Sequence, residues 1–83
     1  MKIQIRYFAS LREALGAQET LELPGPLSVA ELRDQLVERG GRHAELLGGS
    51  RPVRCALNQT LADDQAMVED GAEVAFFPPV TGG

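Results

Sequence analysis

The chain has one cysteine, one histidine and no tryptophan, and its only lysine is Lys2. Each scarcity excludes something. A lone cysteine, Cys55, rules out an internal disulfide and points to a reducing compartment, so a cytoplasmic location is expected. One Cys and one His, His43, are too few for an ordinary zinc site, which uses three or four N or S ligands. The single histidine also leaves no credible Ser/His/Asp or Cys/His arrangement. No apolar run approaches the roughly 18 residues that cross a bilayer, and Met1 leads straight into alternating residues, so neither a membrane span nor a signal peptide is expected. Basic clusters are missing as well. Eight Lys+Arg stand against 12 Asp+Glu, a net charge of −4. Such a chain cannot release phosphate counterions efficiently, and nucleic acid is not an expected partner.

Eighty-three residues make one small domain. A chain this short buries only about 60% of its unfolded surface. With no disulfide or metal site to support it, a partner protein is plausible on size alone.

Local patterns suggest an order of elements. Lys2 to Phe8 alternates: Ile3, Ile5 and Tyr7 share one face of a half-buried strand, with Lys2, Gln4 and Arg6 on the other. Ala9 to Leu15 reads as a short helix capped by Gly16. Glu19 to Leu23 alternates again and is stopped by Pro24-Gly25-Pro26, so an antiparallel pair with the first strand is expected. The main helix is expected over Val29 to Arg39. Ser28 and Glu31 have the spacing of a capping box, Leu27 and Leu32 that of a hydrophobic staple, and Val29, Leu32 and Leu36 line one face. Residues 42–52 read as a loop with at most one helical turn. Val53 to Leu57 is a third strand, Asn58-Gln59 a tight turn, and Thr60-Leu61 a short return. Glu73 to Phe77 is the last strand, with Val74 and Phe76 on one face and Ala75 and Phe77 on the other. This order predicts an α+β fold of the β-grasp type: a mixed sheet of about four to five strands with one main amphipathic helix packed across it. The expected division is a domain over 1–77 and a flexible tail over 78–83.

The C-terminus carries the strongest functional signal. Pro78-Pro79-Val80-Thr81-Gly82-Gly83 follows the last strand directly. At average glycine usage a terminal Gly-Gly arises by chance about once in 200 chains, so alone it is only suggestive. Pro78 and Pro79 favour extended geometry and cannot rejoin the sheet. The six residues after Phe77 reach at most about 20 Å. Gly82 and Gly83 carry no side chains, so a narrow channel could admit them. The reactive group at the tip is the α-carboxylate of Gly83, a poor electrophile until activated. ATP would convert it to an acyl-adenylate and a sulfur donor to a thiocarboxylate. The chain has no Walker-type phosphate loop, so an external enzyme would perform the activation.

Two aromatics form the second signal. Phe8 and Phe77 both fall on the parity opposite their strands' core residues. Either parity slips at strand ends and both are core, or they join Leu61 in an exposed apolar patch at the root of the tail. A contiguous patch of that kind marks an interface. Weaker signals read as structural. Cys55 is on the core parity and is expected to be inert packing. His43 is expected to be solvated in its loop. Asp63, Asp64, Glu69, Asp70 and Glu73 are expected to form a solvated rim that could steer a basic partner.

Leu57-Asn58-Gln59-Thr60-Leu61, the run Asp70 to Gly83 and the opening Tyr7-Phe8-Ala9 with Leu11-Arg12-Glu13 resemble the small, sulfur-carrying subunit family of molybdopterin synthase. The likeness is specific in the last 14 residues and generic across Ala17 to Pro52. It implies a ubiquitin-like β-grasp fold. It also implies that Gly83 is adenylated by an E1-like enzyme using ATP and Mg²⁺, and then sulfurated with help from a sulfur donor protein. The tail, with Gly82, Thr81, Val80, Pro79 and Pro78, would insert into a large subunit within a heterotetramer of two small and two large subunits. Sulfur would pass there to cyclic pyranopterin monophosphate in molybdenum cofactor biosynthesis. Phe8, Leu61 and Phe77 match the family's contact surface. The chain itself would bind no cofactor, and the catalytic side chains would belong to the large subunit. The alternatives are a sulfur carrier for thiamine or tRNA thiolation, or a ubiquitin-like protein modifier.

Overall fold

The computed structural model describes residues 1–48 and 52–79. Strand β1 (Lys2–Tyr7) forms as its alternation dictates, with Ile3, Ile5 and Tyr7 all buried. It pairs antiparallel with β2 (Gln18–Glu22), with Ile3 opposite Leu21. Between them lies α1 (Ala9–Leu15), which buries Leu11 and ends at Gly16, whose N–H donates to the Arg12 carbonyl. Gly16 has φ +97°, a backbone conformation that costs glycine nothing.

Helix α2 (Val29–Val37) follows the two-residue strand β3 (Leu27–Ser28) and stops two residues short of the expected Arg39. Its capping box is complete. The Ser28 hydroxyl accepts from the Glu31 N–H at 3.1 Å, and the Glu31 carboxylate accepts from the Ser28 N–H at 2.9 Å. These bonds hold the Glu31 carboxyl below its ordinary range. Val29, Leu32 and Leu36 are buried, as is Leu27 at the staple position.

The expected loop over 42–52 is corrected by α3 (Gly41–Leu47), which packs against α2 and buries Leu47. Seven residues are too few to be helical alone, so this helix depends on that packing. Its C-terminal Gly48 is required sterically: a Cβ there would lie 2.8 Å from the Ala44 carbonyl oxygen.

Strands β4 (Arg54–Leu57) and β5 (Thr60–Ala62) form a hairpin, and Val53 stays outside the strand expected to begin with it. Strand β6 (Met67–Val68) is an addition to the expected set; it pairs antiparallel with β3, Leu27 opposite Val68. Strand β7 (Glu73–Phe77) completes the main sheet. The five strands run in the order β2-β1-β7-β4-β5, with β1 and β7 parallel and the other neighbours antiparallel. This is the expected mixed α+β roll; among the described residues α3 joins the expected short and main helices, and a second, two-stranded sheet is added. The core joins Ile3, Ile5, Tyr7, Val74 and Phe76 from the sheet to Leu11, Val29, Leu32, Leu36 and Leu47 from the helices.

Candidate functional site: the outward sheet face at the root of the tail

The parallel pairing of β1 with β7 sets the site. Tyr7 stands opposite Phe76 in register, so the next residues, Phe8 just past β1 and Phe77 at the end of β7, lie side by side. The Phe8 N–H donates to the Phe76 carbonyl at 3.1 Å, which ties the end of β1 to β7. Tyr7 and Phe76 point into the core and are almost fully buried. By alternation Phe8 and Phe77 face the other way. Phe8 is 41% exposed and Phe77 half-buried, so the sequence expectation of a patch prevails over the core alternative. Ala9 turns the chain away from Phe8 with φ +54°, a left-handed conformation costing a non-glycine residue about 1–2 kcal/mol. Backbone strain of this kind is often held at functional positions.

The β4–β5 hairpin supplies the far side of the patch. Asn58 and Gln59 both have positive φ, +51° and +69°, as a two-residue type I′ turn requires. Asn58 also fastens the turn to β7: its side-chain oxygen accepts from the Glu73 N–H at 2.9 Å, and its own N–H donates to the Glu73 carbonyl at 2.8 Å. Leu61 then falls opposite Ala56, and Ala56 opposite Ala75. These three share the outward face with Phe77, and Leu61 is 60% exposed. At a strand spacing of about 4.8 Å, Ala75 and Ala56 form a shallow floor between the Phe8–Phe77 ridge and Leu61.

Charges frame the floor. Arg6 lies over the Phe8 ring, 5.6 Å from its centroid, and makes an ion pair of 3.6 Å with Glu73. Arg54 is exposed and stands directly across from Phe77. Past Phe77, Pro78 and Pro79 border a groove of about 350 Å³ with Leu11, Leu46 and Val53. Val80, Thr81, Gly82 and Gly83, the remaining predicted tail residues, lie outside the described residues.

Other candidates resolve into structure. Cys55 is buried, and burial pushes its thiol up to about 11, so it stays protonated at neutral pH. The expected solvated His43 is instead partly buried on α3. It meets the Tyr7 ring edge-on at 6.2 Å and approaches Glu19 at 3.8 Å. Glu19 also accepts from the Tyr7 hydroxyl at 2.9 Å and pairs with Arg39 at 2.8 Å. Burial and the Glu19 bond push the Tyr7 hydroxyl well above its ordinary range. Sequence reasoning missed this junction of β1, β2, α3 and the segment after α2 that carries Arg39 because most of its members are far apart along the chain. Asp63, Asp64, Glu69 and Asp70 are exposed as expected while Glu73 is half-buried, and most of the five have partners within the chain. Asp63 caps the Gln65 and Ala66 N–H groups, Asp64 pairs with Arg33, Asp70 accepts from the Lys2 N–H, and Glu73 pairs with Arg6. Among the described residues no group of three His, Cys, Asp or Glu side chains is placed to hold a metal, and no helix is long and apolar enough to cross a membrane.

Comparison with known proteins agrees with this geometry. The ThiS family matches residues 5–83. The molybdopterin synthase sulfur carrier subunit of Haemophilus influenzae is 37% identical, covering 98% of this chain and 99% of its own. The protein of the same name from Escherichia coli is 38% identical with the same coverage. A solved complex of subunits 1 and 2 of the molybdopterin-converting factor from Helicobacter pylori contains a chain that matches at a TM-score of 0.69. It is 28% identical and the match covers 100% of both chains. The fold is therefore the ubiquitin-like β-grasp of these carriers, and the chain belongs to the ThiS family, within the molybdopterin synthase sulfur carrier subunits that it matches from end to end.

Proposed function

We propose that this chain carries sulfur on Gly83 for a molybdopterin synthase. The observation that carries the reading is the placement of Phe8 and Phe77, an outward aromatic pair where β7 passes into the Gly-Gly tail. The folded domain over 1–77 docks on a large subunit through Phe8, Leu61 and Phe77, and residues 78–83 act as the delivery arm. Docking at the arm's root limits where its tip can go, which raises the effective concentration of the tip inside the partner. Glycines at 82 and 83 let the backbone enter a channel too narrow for side chains.

The chemistry runs through the terminal carboxylate. An E1-like enzyme, with its own ATP and Mg²⁺, lets a Gly83 oxygen attack the α-phosphorus; pyrophosphate leaves and an acyl-adenylate remains. A hydrosulfide equivalent from a donor protein then attacks the carbonyl carbon, AMP departs, and a thiocarboxylate forms. That group is anionic and a soft nucleophile, suited to attack on carbon in cyclic pyranopterin monophosphate, where a carbon–oxygen bond breaks as the carbon–sulfur bond forms and the oxygen leaves with the phosphate or as water. Water subsequently cleaves the acyl–sulfur bond, restoring the Gly83 carboxylate and leaving sulfur on the pterin. The domain contributes position rather than acid–base chemistry, since Cys55 and Tyr7 are both buried and held protonated. The cytoplasm supplies the reducing conditions that a thiocarboxylate and a free Cys55 require.

The test is intact mass after incubation with the activating enzyme, ATP and a sulfur donor. The expected result is a gain equal to one sulfur replacing one oxygen, mapped to Gly83 and abolished by deleting Gly83. No gain, from an activating enzyme that sulfurates another carrier, would overturn the reading. Conjugates on protein lysines in place of the thiocarboxylate would identify a modifier instead.

A further inference from the structure

Among the described residues, the outward strands of the proposed docking face carry one cation, Arg54, with no carboxylate within 4.0 Å. Among the described residues, Lys2, Arg6, Arg33 and Arg39 each have a carboxylate within 4.0 Å, whereas Arg12, Arg42 and Arg54 have none. Arg12 and Arg42 are exposed on α1 and α3, outside the sheet; Arg12 lies one turn after Phe8, its N–H 3.4 Å from the Phe8 carbonyl oxygen. Arg54 sits within the apolar patch: it is the direct cross-strand neighbour of Phe77, and the Ala56–Leu61 pair lies on the same face two residues along. The carboxylate nearest in register, Asp63, follows Ala62, the partner of Cys55. Its Oδ1 is already engaged by the Gln65 and Ala66 N–H groups at 2.9 and 3.1 Å. Arg6, in contrast, is neutralised inside the chain by Glu73 and lies against the Phe8 ring. In a chain with 12 acidic residues and a net charge of −4, this leaves a local positive charge where an apolar contact would form.

We propose that Arg54 determines partner specificity by pairing with a carboxylate on the large subunit, a refinement that rests on the carrier reading above. The argument is one of desolvation. A surface that covers Phe77 also covers its lateral neighbour, because adjacent strands are only about 4.8 Å apart. A guanidinium taken out of water without an acceptor opposes docking strongly, so the matching surface must supply one. A carboxylate fits best, since it accepts two parallel N–H bonds and neutralises the charge. The pair would also reject any other partner whose corresponding position is basic or apolar.

The experiment compares binding of the cognate large subunit to the wild-type chain, Arg54→Glu, Arg54→Lys and Phe77→Ala, at low and high ionic strength. Thermal melts verify that each variant folds; Arg54 is exposed and makes no side-chain hydrogen bond among the described residues, so its variants should melt as wild type. The expected result is binding at least about tenfold weaker for Arg54→Glu, with part of the affinity kept by Arg54→Lys. The salt dependence of the wild type should be flattened or reversed in Arg54→Glu. If Phe77→Ala weakens binding while Arg54→Glu binds like the wild type at both ionic strengths, the proposed ion pair is wrong and the carrier reading stands. If Phe77→Ala also binds as the wild type does, the docking face itself is wrong and both fall.

Discussion

The two faces of the main sheet use the same strands for different ends. On the inward face Ile3, Ile5, Tyr7, Cys55, Val74 and Phe76 are all 2% exposed or less, covered by three helices. On the outward face the same strands present Gln4, Arg6, Ala56 and Ala75, and beside them Phe8, Phe77 and Leu61, with no helix over them among the described residues. Both faces contain large apolar side chains, but only one set is satisfied within the chain. Stability is thus concentrated inside, and the recognition proposed above falls to the outside, so substitutions one residue apart on β7 should separate the two properties.

Phe76→Ala should have the largest effect. Emptying a fully buried aromatic site costs about 3–5 kcal/mol. A domain of 83 residues has roughly 4–12 kcal/mol in total, so urea denaturation should show a chain partly or largely unfolded. A variant with wild-type stability would mean that the inward face is not the core. Phe77→Ala, the adjacent position, should lower stability by only about 1 kcal/mol, since its ring is half-buried. Its affinity for a large subunit should nevertheless fall at least about tenfold by titration calorimetry. Equal loss of stability in both variants would erase the distinction between the faces.

The smallest effect concerns pH. Burial raises the Cys55 thiol to about 11, against about 8.5 in an unfolded chain. The folded state therefore holds that proton more tightly. The associated stabilisation is complete below about pH 8.5 and is lost as pH rises towards 11. Tyr7 shifts in the same direction. Urea midpoints measured across this range should decline, and Cys55→Ala should decline less steeply. At pH 8 the native thiol should also resist alkylation by iodoacetamide and react freely in urea. Rapid alkylation of the native chain would place Cys55 on the accessible side of the sheet.

Much of this arrangement was legible in local pattern. The Ser28–Glu31 spacing and the 29/32/36 stripe identified α2, because capping bonds and a core-facing stripe act within a few turns. Alternation identified the core side of β1 and β7, and the same parity exposed Phe8 as out of place. Helix α3 escaped notice because its seven residues have too little intrinsic helicity to announce themselves, and contact with α2 decides them. Strands β3 and β6 have two residues each, and no periodicity can be read from two residues. His43 was misplaced for the same reason as α3: its environment is made by Tyr7 and Glu19, more than twenty positions away in the chain.

The sequence by itself determined the side-chain pattern and the polarity of the molecule. It placed Gly82-Gly83 beyond two prolines, a core parity along each long strand, and Phe8 and Phe77 off that parity, all properties of side chains and neighbours close in the chain. Only the tertiary structure decided that these elements meet. Parallel pairing of β1 with β7 brings residues 8 and 77 side by side at the base of the tail, and antiparallel pairing through β4 brings Leu61 and Arg54 onto the same face. Strand order and register follow from which faces can be buried together, a property of the whole folded chain that no local pattern encodes.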